Sequence, residues 1–463
     1  MADEFGSGEF GSGEFESGYF GAGESGSGGS GSGAPGSGGF GSARSTSAEG
    51  GPTTPAEVER LLLTAAYSYD LDARVARSIA AELAASGVNA RLVDTTLTSC
   101  LERGVREMWD NGWQPRDAVE LATRGLDPLH RDYLGDVILG EAQRYAEPTV
   151  DPRWRAQLEE WGDASVWWQP DRSHLEQWRA RKGLDRATAL GVAIAVLGFT
   201  LGLPPARKIL PTPGEASVRP TVRPRGNVDD KALGRVRALL AKAESTEFPE
   251  EAEALSSKAQ ELMTKFSLDR ALLDADPGEG VIPGAGMSGA SARRIWLDAP
   301  YVNAKSLLVH AVAEANRART VFDKTGYVTV VGEEVDLELV EILTTSLLLQ
   351  ANRAMLAPGS QVRGYGTSRT RSWRQSFLVS YSTRIGQRLK EASVASQASV
   401  DAESSGRLLP VLATREREVE TLFGELFPRT VTRAVSVSNA AGWAAGKAAA
   451  DLAMLDGRSA LTG

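Results

Sequence analysis

His310 and Glu314 lie four residues apart, the spacing at which two side chains on one helix face can converge on a single ion. A zinc-protease helix would read His-Glu-x-x-His; here the text is His310-Ala311-Val312-Ala313-Glu314, and the other histidines are His130 and His174. With no second histidine nearby, the expectation is a partly buried imidazole hydrogen-bonded to a neighbour, and no metal. Serine-nucleophile chemistry needs a paired base, which three scattered histidines do not offer. Glycine spacings that cradle phosphates are missing wherever a strand would have to lead into a helix. The residues therefore lean against an enzyme, and no cofactor is expected.

Charge supplies a second candidate. Between Gln350 and Lys390 there is no acidic residue, while eight Arg and Lys residues accumulate, with the aromatics Tyr365 and Trp373 interleaved. Guanidinium groups beside aromatics hold a nucleic-acid backbone by charge and stack on its bases. The candidate nucleic-acid contacts are Arg363, Arg369, Arg371, Trp373, Arg374, Arg384 and Arg388. A Gly- and Ser-rich loop, Pro358 to Thr370, would let them follow a strand. The competing expectation is a solvated basic face, or one paired with the acidic helix that starts at Glu333.

These residues need a scaffold, and 463 residues suffice for two or three folded units. The formal charge is −9, but residues 1–50 carry seven carboxylates against Arg44 alone, so the rest is nearly balanced. Residues 6–45 step in fives, as in Gly-Ser-Gly-Glu-Phe, which reads as a disordered tail. The start has neither the basic head nor the apolar run of a signal peptide. A single cysteine, Cys100, rules out an internal disulfide and suits a reducing, cytoplasmic setting. Ala187 to Leu203 is the one strongly apolar run; it falls short of a membrane span and reads as a core helix.

Order begins at Thr54-Pro55-Ala56-Glu57, a capping box with proline at the first helical position. Apolar periodicity then gives successive helices, with Asn111-Gly112 stopping one and Pro115 starting the next. Trp154, Trp161, Trp167, Trp168 and Trp178 crowd together, as packing wedges or as a binding surface. The prolines and arginines from Pro204 to Arg225 read as a stiff basic linker.

From Asp229 the periodicity predicts a helical hairpin. Leu233, Val236, Leu239 and Leu240 mark one buried face, Ser245 to Phe248 the turn, and Ala252, Leu255, Ala259, Leu262, Met263 and Phe266 the second. Arg235-Val236-Arg237-Ala238-Leu239-Leu240-Ala241-Lys242-Ala243, Pro249-Glu250-Glu251-Ala252 and Ala259-Gln260-Glu261-Leu262-Met263 resemble the bacterial family known as domain of unknown function 2786. Upstream, Gly112-Trp113-Gln114-Pro115 and Leu210-Pro211-Thr212-Pro213 are similar to longer actinobacterial members, and the region after the hairpin is similar to its usual companion domain. The resemblance implies architecture; it assigns no activity and no site residues.

Beyond the hairpin, helices are expected at Tyr301 to Arg317, Glu333 to Leu356, 371–395, Arg415 to Leu426 and Ala440 to Leu455. Strands are expected at Arg319 to Asp323, Tyr327 to Val331, Leu408 to Ala413 and Thr430 to Val437. Gly442 and Gly446 in the last helix have close-packing spacing. The expected fold is mainly α: an N-terminal helical bundle, a central helical hairpin and a C-terminal α+β domain with a small sheet. Its expected parts are a tail (1–50), a helical domain (51–165), a Trp-rich and linker region (166–228), the hairpin (229–276), a Gly-rich spacer (277–292) and the C-terminal domain (293–463). The expected role is that of a noncatalytic interaction or scaffold protein with a protein partner. Nucleic-acid binding is the alternative, an enzyme of unrecognised type comes third, and a membrane role is disfavoured.

Overall fold

In the computed structural model, the described residues are 21–22, 51–68, 73–160, 166–216, 227–245, 258–259, 261–269, 271–272, 289–356, 367–403, 408–431 and 438–452. They divide into two units, 25–219 and 1–24 with 220–463.

The first unit is helical. It contains α1 (Pro55–Ser68), α2 (Ala73–Leu83), α3 (Ala90–Asp110), α4 (Pro115–Gly125), α5 (Pro128–Ala142), α6 (Pro152–Glu159), α7 (His174–Lys182) and α8 (Arg186–Gly202). The expected capping box closes α1: the Glu57 N–H donates to Thr54 Oγ1 at 3.3 Å and the Thr54 N–H to Glu57 Oε2 at 3.1 Å. The apolar run becomes α8, and α1, α2, α3, α5 and α7 all pack on it. Ile194, Val196 and Leu197 are fully buried, so the run is spent on a protein core. No single helix among the described residues is long and apolar enough to cross a membrane. Two glycine positions set the approach: a Cβ on Gly198 would lie 2.7 Å from the Ala66 carbonyl oxygen, and one on Gly104 2.4 Å from Thr200 Oγ1.

The tryptophans act as wedges, and each buried indole N–H needs an acceptor. Trp109 donates to Glu141 at 3.1 Å, Trp178 to Asp132 at 2.8 Å and Trp113 to the Pro204 carbonyl at 2.8 Å. Trp154 packs edge-on against Trp109. Trp167 is the exception at 40% exposure, with the Arg181 guanidinium over its ring; Trp161 lies outside the described residues. Gly112, at φ 88°, takes the left-handed conformation that ends α3. The start of the expected linker is stitched onto this unit, since the Ala206 N–H donates to the Asn111 carbonyl and the Gly214 N–H to that of Thr149.

The second unit begins with α9 (Asn227–Ser245) and α10 (residues 261–269). The expected turn, Pro249 to Ala252 and Leu255 lie outside the described residues, as do Gly-rich residues 277–288. A sheet follows, formed by β2 (Ala290–Trp296), β3 (Arg319–Phe322) and β4 (Tyr327–Glu333), with β4 central and antiparallel to both neighbours. A two-residue strand, β1 (Gly21–Ala22), pairs in parallel with β3. The helices are α11 (Val302–Ala315), α12 (Glu334–Leu356), α13 (Thr367–Glu403), α14 (Leu408–Leu426) and α15 (Ala440–Leu452).

One sheet face, with Ile295, Val328 and Val330, joins residues of α11, α12 and α13 in a single core. Val236, Leu240, Ala259 and Met263 of the hairpin belong to that same core. The opposite face meets α14, where Arg319 pairs with Glu420 at 3.1 Å and lies over Phe423. The closest helix contact is between α13 and α15: Cβ atoms on Gly442 and Gly446 would fall 2.3 and 2.1 Å from the carbonyl oxygens of Trp373 and Phe377. The spacing expected to give tight helix contact does so.

Three expectations change. Leu408 to Ala413 is the first turn and a half of α14, not a strand. Its apolar run satisfied either period, and Leu408 and Leu412, one helical turn apart, are buried with Leu268, Ala271 and Val400; Pro410 is tolerated because it falls in the first turn. Strand β2 was missed, because Ala-Ser-Ala-Arg-Arg-Ile-Trp has no β-branched run and its arginines mask the alternation. The 371–395 helix is longer, running from Thr367 to Glu403. Residues 432–437, most of the last expected strand, lie outside the described residues.

Candidate interaction surface of the C-terminal unit

The basic segment belongs to α13, and packing against α15 decides the fate of its side chains. Trp373 is buried in the core, its ring 5.4 Å from that of Phe377, so it presents no face for stacking. Arg388 is buried and donates to the carbonyls of Ala450 at 2.6 Å and Asp451 at 3.1 Å, neutralising the carbonyl end of α15. Arg384 pairs with the Asp451 carboxylate. Arg371 is exposed, while Arg374 is half-buried, its Nε without a hydrogen-bond partner among the described residues. Arg363 and the side chain of Arg369 lie outside the described residues. The structure thus brings Trp373, Arg384 and Arg388 together on the α15 side of the helix and leaves Arg371 facing solvent.

The acids of α12 take other partners than the basic segment expected to meet them. Arg293 of β2 bridges Glu334 at 2.6 Å and Glu341 at 2.7 Å. Its side chain is partly buried: burial lowers its pKa, and the two carboxylates outweigh that and raise it. Asp336 is buried, accepting from Ser267 Oγ of α10 at 2.5 Å and from Arg317 at 3.2 Å. Arg317 has φ 60°, a left-handed conformation that costs an L-residue about 1–2 kcal/mol; its ion pair compensates at the corner between α11 and β3. Arg237 of α9 reaches Glu338 at 2.7 Å, with 59% of the Arg237 side chain but only 7% of the Glu338 side chain exposed. Both hairpin helices are therefore fixed to α12 by a polar contact as well as by the shared core.

What the hairpin leaves outside is the other half of α9. Lys231, Arg235, Ala238, Ala241 and Lys242 are exposed, and the sequence from Lys231 to Lys242 contains no acid. At 100° per residue Lys231, Arg235 and Lys242 share one stripe. The periodicity already placed Val236 and Leu240 on the buried face, but nothing in it separated the opposite stripe from an ordinary solvated helix face.

Other chemistry is sparse. His310 accepts or donates through Nδ1 to Thr320 Oγ1 at 2.9 Å, and burial, aided by Arg319, pushes its imidazole below the ordinary value despite Glu314. No group of three or more potential metal ligands occurs among the described residues. An open cavity of about 460 Å³ lies between Ala290 and the α14 residues Thr414, Arg417, Glu418, Thr421 and Glu425. The Cys100 thiol is buried, which raises its pKa and keeps it protonated.

No curated protein and no solved structure matches the chain. Residues 231–270, which span α9 and α10, match the family described as protein of unknown function (DUF2786). The hairpin whose inner half is built into the C-terminal core is thus the part of the chain that matches the DUF2786 family.

Proposed function

We propose that the chain is a noncatalytic, cytoplasmic interaction protein in which residues 293–463 are the companion domain of the hairpin and the outer stripe of α9 meets an acidic protein partner. One observation carries this: the family's own motif divides into an inner set, Val236, Leu240, Ala259 and Met263, spent on the shared core, and an outer set, Lys231, Arg235 and Lys242, left at the surface. Single-sign stripes of this kind steer encounter and suppress wrong partners. The lone, buried Cys100 supports a reducing compartment. The test is proximity labelling in cells of the wild type beside the Lys231→Glu/Arg235→Glu variant. Neighbours with acidic surfaces that disappear on charge reversal support the reading; an unchanged set of neighbours removes it.

Nucleic-acid binding by residues 353–390 is a second reading, favoured by the exposed Arg371 next to the half-buried Arg374. The buried state of Trp373 and Arg388 leaves it a smaller contact set than the sequence offered. Fluorescence anisotropy with labelled single-stranded and duplex probes over a salt series decides it. Salt-sensitive affinity lost in Arg369→Ala/Arg371→Ala/Arg374→Ala supports it; no binding at low salt excludes it.

A further inference from the structure

Strand β2 ends the sheet on the side away from β3, so among the described residues one of its edges has no partner strand. Hydrogen-bond parity identifies the residues on that edge. The Leu297 N–H donates to the Gly326 carbonyl toward β4, and the Asp323 N–H donates to the Tyr327 carbonyl from the β3 side. In the alternating antiparallel ladder, Ser291, Arg293 and Ile295 therefore bond inward to β4. The backbone N–H and C=O groups of Ala290 and Ala292 point outward, where they form a template for a further strand.

Helix α14 stands beside this edge. Its residues Thr414, Arg417, Glu418, Thr421 and Glu425 recur at the three- and four-residue steps of one helix face and, with Ala290, line the open cavity of about 460 Å³. A Cβ built on Gly289 would meet nothing within 4 Å, so the slot is open at the start of the strand. An edge strand flanked by a helix can capture an extended peptide: main-chain bonds give affinity, and a side-chain pocket gives specificity. The Arg417 guanidinium is turned onto its own helix, donating through Nε to the Ala413 carbonyl at 3.1 Å and through Nη2 to Thr414 Oγ1 at 3.0 Å. The hydroxyls of Thr414 and Thr421 donate to the carbonyls of Pro410 at 3.1 Å and Arg417 at 2.8 Å. With those donors engaged, the carboxylates of Glu418 and Glu425 outnumber the one guanidinium, and the complementary side chain is a lysine or an arginine.

We propose that the outer edge of β2 beside α14 is a peptide-binding slot. It takes an extended segment of a partner protein by strand addition and seats a lysine or arginine of that segment against Glu418 and Glu425. The site uses β2 and α14 and not α9, so its failure leaves the proposed partner surface of α9 untouched.

Selection of a phage-displayed random heptapeptide library on the full-length protein tests it, with the enriched peptides then synthesised and titrated by fluorescence anisotropy. Enriched sequences are expected to carry a lysine or arginine, and Glu418→Gln/Glu425→Gln is expected to weaken their binding about tenfold by removing a charge-assisted contact. Methylating the peptide nitrogens one at a time leaves the protein's fold alone and reads the ladder directly. Binding is expected to be lost at alternate amides only, those that face Ala290 and Ala292. No enrichment would overturn the proposal, as would methylation tolerated at every amide or peptides that bind the Glu418→Gln/Glu425→Gln variant as tightly as the wild type. Peptides released instead by Lys231→Glu/Arg235→Glu belong to α9 and equally count against it.

Discussion

The two units weight the burial of polar groups differently. In the first, the central helix α8 is apolar, and the indole N–H groups of Trp109, Trp113 and Trp178 are met by a carboxylate or a carbonyl, with an ion pair between Arg186 and the buried Asp94 at the start of α8. In the second, helix α12 brings its carboxylates inward, and guanidinium groups from β2, α9 and the corner after α11 come to it. The first arrangement wedges helices together by size, with hydrogen bonds as a condition. The second fixes which elements may dock, because a misplaced partner leaves a buried charge unpaired.

The largest way to break this contrast is at the helix crossings, where both units depend on glycine. Gly446→Leu must push α15 off the Phe377 carbonyl; overpacking of this kind costs about 3 kcal/mol or more. Calorimetry of the full chain should show the transition of the second unit lowered, with that of the first unmoved. Gly198→Leu should do the reverse by lifting α8 from Ala66. A single shared shift for both variants would mean that the units do not unfold separately.

A smaller effect sharpens the polar side of the comparison. Glu141 is buried against Trp109 and Tyr145, and burial raises its carboxyl above the ordinary value despite those two donors. A carboxyl raised in the folded state stabilises the protonated form, so stability falls as pH rises from the unfolded-state value, about 4.5, through the higher folded one. Glu141→Gln keeps an acceptor for the indole and removes the charge. Its denaturation midpoint should therefore lack that slope, gaining on the wild type as pH approaches neutrality; a parallel slope in both proteins would show Glu141 is not its source.

Much of the scaffold was legible in the sequence for reasons that can be named. The Thr54 to Glu57 cap, the stop at Asn111-Gly112, the apolar α8 and the β3–β4 hairpin are local signals, set by residues within one or two turns of each other. The Gly442 and Gly446 pair was legible because its spacing admits one meaning in a water-filled setting. Strand β2 and the start of α14 were not, since their conformations are decided by partners far along the chain: β4 for the first, and the cluster of Leu268 and Val400 for the second. The same limit applied to the basic segment. Eight cations without an acid looked like one surface, but Trp373 and Arg388 turn inward because α15, some 60 residues later, offers them packing and carbonyls.

The central claim is that the DUF2786 hairpin is an integral part of the C-terminal core and not an appended module. Met263→Ala tests it directly, because Met263 is fully buried in the cluster it shares with α11 and α13, where truncation costs about 2–5 kcal/mol. Hydrogen exchange of the full-length variant is the measurement. The slow amides of α11 and α13 should accelerate together with those of α9 and α10; faster exchange confined to the hairpin, with α11 and α13 as protected as in the wild type, would contradict it.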